Sequence, residues 1–289
     1  MILNIIYAAA PLALAAIGLL LTELSGCIMI ASEGFMIFGA FFSYLFTFWT
    51  GNALFGIALA TILSAFIGFL LITFIQRTGA DPFIAALALN LGAQGITASL
   101  SRLIFGTSGV LRSLSLGQLD GHTLDGGRAA SLSAAMPAQS MFAITALVFC
   151  VIVFLFLSLT HCGFRLAAIG LDEKAAAESG IRTKRYIAFA WMFAAFMCAL
   201  AGAAVSFRVG VYSPGGIAGR GWIAIAAVYL GVTNIAGIAG AALVFAVAEQ
   251  LTYNVQKIIS LNATALLGLP SLMALVLYCL LHIFRRRNY

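Results

Sequence analysis

Charge is what this sequence has least of. Only 8% of its 289 residues are Asp, Glu, Lys or Arg, against 63% hydrophobic residues, and no single water-facing core of this length hides so much apolar surface. Lysine occurs three times, at Lys174, Lys184 and Lys257, and never after a glycine. A P-loop needs Gly-Lys followed by Ser or Thr, so nucleotide hydrolysis by that route is excluded and any such energy must come from a partner. Histidine is as rare, and His122, His161 and His282 form no pair with ligand spacing. Asp120, His122 and Asp125 are either a small metal set or part of a solvated loop. The five cysteines, Cys27, Cys150, Cys162, Cys198 and Cys279, fall in or beside apolar runs, and the long polar stretch 105–138 has none. A disulfide framework is not expected. Nor does the chain gather an acid, a base and a nucleophile in one place, which argues against a membrane-embedded enzyme.

What is present is apolar length. A helix needs about 20 mostly apolar residues to cross the hydrocarbon layer, and the chain offers spans near 3–21, 26–48, 53–75, 83–104, 139–160, 186–207, 213–232, 235–252 and 264–284. The expected fold is all-α: a polytopic transmembrane bundle of about nine spans, eight to ten in range, with broken or re-entrant helices, as one domain over 1–289. The first apolar run starts at once, without a basic prelude or a small-residue cleavage pattern, and is expected to stay as a span. The weakest span is 213–232, whose uninterrupted apolar part is short enough to be re-entrant. The net charge of +6 forms no basic face for nucleic acid; it sits in turns between spans. Arg77, the segment 161–185 with Arg165, Lys174, Arg182, Lys184 and Arg185, and the tail Arg285, Arg286 and Arg287 are expected on the cytoplasmic side of the cell (inner) membrane. The N-terminus and the loop 105–138 then lie outside and the C-terminus inside.

Three polar features interrupt this pattern. Glu33, between Ser32 and Gly34, is a carboxylate in an apolar segment, and such a group must face a cavity, a partner or an exposed helix end. The neighbouring Ser and Gly suggest a broken helix, of the kind that lines transport paths. Glu33 either caps and pairs within the bundle or takes part in gating and passage. In the fourth span Asn90, Gln94 and Ser101 lie near one helical face, with Glu249 closing the eighth; these either line a polar path or join helices by hydrogen bonds. In the cytoplasmic segment, Asp172 and Glu173 suit a first turn, Ala175 and Ala176 favour helix and Gly180, before Ile181, suits its end. A helix this short is marginal alone. It is either held against a cytoplasmic partner or serves as a plain connecting turn.

The order of three motifs resembles the permease subunits of bacterial ABC importers for simple sugars, nucleosides and branched-chain amino acids. They are Glu23-Leu24-Ser25-Gly26 through Ser32-Glu33-Gly34 to Gly39-Ala40-Phe41; Ala168-Ile169-Gly170 through Ala175-Ala176 to Gly180-Ile181; and Ala218-Gly219-Arg220-Gly221-Trp222. The resemblance implies a pore subunit without enzymatic activity or cofactor of its own. Its partners would be an ABC ATPase subunit, a second permease subunit, identical or different, and an extracytoplasmic substrate-binding protein. The segment carrying Asp172, Glu173, Ala175, Ala176, Gly180 and Ile181 matches the region that meets the ATPase. Glu-x-Ser-Gly followed by Glu-Gly looks closest to the nucleoside branch, although Cys27-Ile28-Met29-Ile30 replaces an expected run containing Asn. Simple sugars and riboflavin stay open as cargo. A self-sufficient secondary transporter or channel, with Glu33 and Glu249 as ion ligands, is the alternative from another class.

Overall fold

The computed structural model describes residues 2–106, 111, 138–209, 212–213, 215–217 and 219–259, and helix is the regular element throughout them. The order is α1 (Ile2–Leu24), α2 (Ser32–Thr50), α3 (Ala53–Thr78), α4 (Pro82–Phe105), α5 (Ala138–Leu159), α6 (His161–Leu171), α7 (Glu173–Glu178), α8 (Thr183–Val209), α9 (Arg220–Leu230) and α10 (Ile235–Ile259). Six of these, α1, α3, α4, α5, α8 and α10, are long and apolar enough to cross a membrane. The chain is therefore a multi-pass helical membrane protein. Two expected spans take a different form. The stretch 26–48 becomes helical only at Ser32, after an irregular segment over 25–31. The 11 residues of α9 rise about 16 Å, roughly half the hydrocarbon thickness, so 213–232 contributes a half-helix. The ninth expected span, 264–284, the Arg285 to Arg287 tail, Cys279 and the Asp120, His122 and Asp125 set lie outside the described residues.

Local sequence explains the boundaries. Asn52 and Asp81 cap α3 and α4, each side chain accepting from a backbone N–H two residues on, at 3.0 and 2.7 Å. Pro82 takes the first position of α4, where its missing N–H is of no consequence. Val232 and Thr233 turn α9 into α10 with φ of 54° and 53°, conformations costly for β-branched residues.

Packing sorts the helices into a centre and a periphery. The apolar windows of α1 and α8 are 83% and 78% buried, against 22% and 17% for α4 and α5, which lie at the periphery of the chain. Lipid is as apolar as a leucine side chain, so central helices associate through close backbone approach at small residues. Alanines 190, 194, 195, 199, 201, 203 and 204 make α8 slim on several faces. Gly39 of α2 crosses Ala199, and Gly202 of α8 crosses Met36, so tightly that a Cβ on either glycine would overlap the facing backbone. Gly18 of α1 and Gly68 of α3 also lie close on α8, where an added Cβ would meet the Cβ atoms of Met197 and Ala195. The four described cysteines, Cys27, Cys150, Cys162 and Cys198, are free thiols.

Contacts also define two ends of the bundle. At one, Gln76 Nε2 at the close of α3 donates to the Lys184 carbonyl at the start of α8 (3.1 Å), and Gly170 of α6 sits on the Leu24 carbonyl at the close of α1. At the other, the rings of Tyr44 and Phe48 meet Phe105, and Leu111 pairs with Tyr212.

Candidate functional site

The interruption before α2 places backbone polar groups deep in the bundle, and its surroundings satisfy them. Asn90, eight residues and about 12 Å along α4, is 8% exposed; its Oδ1 accepts from Gly34 N–H (2.7 Å) and its Nδ2 donates to the Ile30 carbonyl (3.0 Å). One amide thus bridges the interruption and the first turn of α2. Trp191, fully buried on α8, donates from Nε1 to the Cys27 carbonyl (2.9 Å), while Thr22 Oγ1 accepts from Met29 N–H (3.2 Å). Freed backbone at this depth persists only with such partners.

The N-terminus of α2 meets that of α9. Glu33, 9% exposed, accepts at Oε1 from Gly219 N–H (3.0 Å), and Ser32 Oγ donates to the Gly221 carbonyl (3.2 Å). Gly221 lets the helices close: a Cβ there would lie 2.5 Å from the Glu33 backbone nitrogen. The Glu33 carboxylate stands in the first turn of its own helix and caps another, so it meets the positive ends of two helix dipoles. Arg220, next in α9, reaches Glu249 on α10 in an ion pair with side chains 19% and 17% exposed, and its Nη1 donates to the Gly216 carbonyl (2.8 Å). The polar contacts therefore run from α4 through α2 and α9 to α10. Further along α9, the Tyr229 hydroxyl donates to Glu23 Oε2 (3.0 Å).

Of the residues singled out from sequence, Glu33, Asn90 and Glu249 join this node, each engaged with protein groups. Gln94, one turn beyond Asn90, is exposed on the outer side of α4 and stands apart from it. Arg220 is the participant not singled out, although Gly-Arg-Gly in an apolar stretch carried the signal of an intramembrane charge. Its partner is Glu249.

The segment 161–185 holds two helices. Thr160 caps α6, its Oγ1 accepting from Gly163 N–H (3.2 Å), and the apolar face Gly163, Leu166 and Ile169 is buried. Asp172 caps α7 as its sequence position predicts, accepting from Lys174 and Ala175 N–H at 2.9 and 3.1 Å, and Gly180 follows the helix with φ of 82°. Asp172, Glu173, Ala175 and Gly180 are exposed; Ala176, at 6%, faces inward and Ile181 is half-buried. Behind α7, Gly170 abuts Leu24 and Gly26, the residues that open the interruption before α2. The exposed helix and the polar node are thus linked through one backbone-to-backbone contact.

Residues 1–284 match the family described as branched-chain amino acid transport system / permease component. The chain belongs to this permease family. It is 29% identical over 255 residues to the guanosine ABC transporter permease protein NupQ of Bacillus subtilis, covering 84% of this chain and 79% of that one. It is 28% identical over 237 residues to the putative glucose ABC transporter permease protein TsgC13 of Haloferax volcanii, covering 77% and 68%. An uncharacterized MG121 homolog of Mycoplasma pneumoniae is 28% identical over 264 residues. No solved structure matches the chain. As a member of the ABC sugar/nucleoside permease family the protein is a membrane pore component and not an enzyme, and the family implies an ATPase and a substrate-binding protein as its partners.

The capping role of Glu33 predicts an ordered pair of variants. Glu33→Ala removes the acceptor of Gly219 N–H and is expected to lower stability by about 1–2 kcal/mol. Glu33→Gln keeps an acceptor oxygen and is expected to lose less than half as much. Thermal unfolding in detergent checks this, and equal losses would contradict the cap.

Proposed function

We propose that this permease forms, as a single domain, half of the import path for a nucleoside in an ATP-driven complex. The observation that carries the reading is the relationship to NupQ, a guanosine permease, across most of both chains. The path would run beside the junction of α2 and the half-helix α9, where two helices start inside the bundle next to irregular backbone. Asn90, Glu33, Arg220 and Glu249 hold that junction and would set its open and closed forms. Gln94, on the exposed side of α4, would line the path together with the second subunit. A path that must release its cargo binds it weakly, which fits a lining without clustered unpaired charge.

Orientation follows from the positive-inside rule. Arg77, Arg165, Lys174, Arg182, Lys184 and Arg185 gather at the end of the bundle that carries α6 and α7, against Arg102 and Arg208 near the other. The first end is cytoplasmic in this reading, the N-terminus lies outside, and α7 meets the ATPase. Motion of the ATPase would pass from α7 to α6, then through Gly170 to Leu24 and Gly26, and so to the start of α2. A second permease subunit completes the path, and the binding protein docks on the outer face and sets specificity.

The kinship to TsgC13 favours one second reading, a simple sugar carried by the same mechanism. Competition decides between them. In proteoliposomes holding the complete complex and its binding protein, uptake of labelled guanosine is expected to be displaced by unlabelled nucleosides and unaffected by excess glucose, ribose or riboflavin. Displacement by one of these others, with no effect of nucleosides, would overturn the nucleoside assignment.

A further inference from the structure

A cavity of about 490 Å³ opens between α5, α6 and the start of α8, away from the α2–α9 junction. Its walls have two chemistries. Phe156 and Phe189 provide an apolar side, and Arg165, Arg182 and Arg185 a cationic one. Phe156 lies three residues before the end of α5 and Phe189 six residues after the start of α8, about 5 and 9 Å inside those helices. The apolar wall therefore lies within the two spans and the arginines at or beyond their ends. Close in sequence to the lining, Leu159 at the end of α5 and Phe164 on α6 are exposed apolar side chains, at 73% and 62%.

Among the described residues, none of the three guanidiniums has a carboxylate within ion-pair distance. Arg165 Nη1 donates to the Tyr186 hydroxyl (3.1 Å), which holds the guanidinium above its ordinary range, and the ion pair seen among the described residues is Arg220 with Glu249, elsewhere. Three permanent positive charges around a hollow with a greasy back wall demand an anion with an apolar tail. A folded protein partner would meet the arginines from the water, but would not reach rings one to two turns inside the spans.

We propose that this cavity binds the phosphate headgroup of an anionic membrane lipid, with an acyl chain laid along Phe156 and Phe189. Its position beside α6 and Ile181 ties the lipid to the base of α7. The bound lipid would fix α6 against α8 and neutralise a charge cluster at the foot of the α7 segment. The inference stands on the cavity alone and does not depend on the cargo.

The test uses the full chain purified in detergent, with native mass spectrometry following the titration of phosphatidylglycerol, phosphatidylcholine and inorganic phosphate. Phosphatidylglycerol is expected to bind at least tenfold more tightly than phosphatidylcholine, and millimolar phosphate is expected not to displace it. Each arginine near an anionic headgroup accounts for about a fivefold factor, so Arg182→Gln with Arg185→Gln is expected to weaken phosphatidylglycerol binding roughly 25-fold. Arg77→Gln removes one such charge from the same end of the bundle outside the cavity, and is expected to change binding less than twofold against the roughly fivefold of a single cavity arginine. Both arginines are exposed, so melting temperatures should match the unaltered chain; Arg182→Glu alone gives the same reading if the double variant does not purify. Equal binding of the two lipids, an equal loss in Arg77→Gln, or displacement by phosphate would each overturn the proposal. So would a double variant that keeps its lipid but loses a copurifying protein, which would make the cavity a protein contact.

Discussion

Gly202→Leu is expected to be the most damaging single substitution in the described part of the chain. At Gly202 a Cβ would overlap the Met36 carbonyl, a backbone group that no change of rotamer moves away. Either α2 and α8 part along their length or the side chain is not accommodated. Overpacking of this kind costs about 3 kcal/mol or more, a fall of roughly 6–12 °C in melting temperature for a chain of this size. The effect should propagate, because α2 carries Glu33 and the Gly34 N–H held by Asn90. The comparison is Gly92→Ala on α4, where nothing lies within 4 Å; alanine there is expected to be neutral or to stabilise by about 0.5–1 kcal/mol. Thermal unfolding of both variants in detergent reads the difference. Equal melting temperatures would show that the α2–α8 crossing is not tight.

Ala175→Arg is expected to have the largest functional effect. The methyl of Ala175 is exposed on α7 and its backbone N–H is fixed by Asp172, so the helix presents that position to whatever docks. An arginine there leaves the fold intact and blocks a close-fitting partner. Copurification of the ATPase with the permease is expected to fall by at least tenfold, about 1.4 kcal/mol, while the isolated permease melts unchanged. Ala176→Arg is a different experiment. Ala176 is buried, so a guanidinium there forces α7 off its support and should lower stability as well as assembly. Ala175→Arg with undiminished ATPase recovery and uptake would remove α7 from the docking surface.

These two positions show how far the sequence reaches. Spacing and capping chemistry are local, and from them the helical membrane class, the Asp172-headed helix α7 and an interruption near Glu33 are all legible. The limits are tertiary. Adjacent alanines look alike in sequence, yet Ala175 faces out and Ala176 faces in, because α6 decides which side of α7 is covered. Helix α6 itself carried a readable pattern, with Thr160 as cap and Gly163, Leu166 and Ile169 on one face; the helix expected from sequence covers only the part headed by Asp172. The amide of Asn90 bonds backbone 56 and 60 residues away, and Arg220 meets Glu249 across two helices. No spacing rule encodes such pairings. Asn90 and Gln94, which the sequence places near one helical face, are told apart by packing alone: Asn90 is buried against α2 and Gln94 is exposed.

The central claim is that this chain is a passive pore subunit whose work is supplied by a partner. The most direct measurement is guanosine uptake into proteoliposomes that hold either this permease alone or the permease with its ATPase and binding protein, with and without ATP inside the reconstituted cycle. The account predicts accumulation only in the complete system with ATP, and none with Ala175→Arg. Concentrative uptake by the chain alone, driven by an ion gradient, would contradict it and make the protein a self-sufficient transporter.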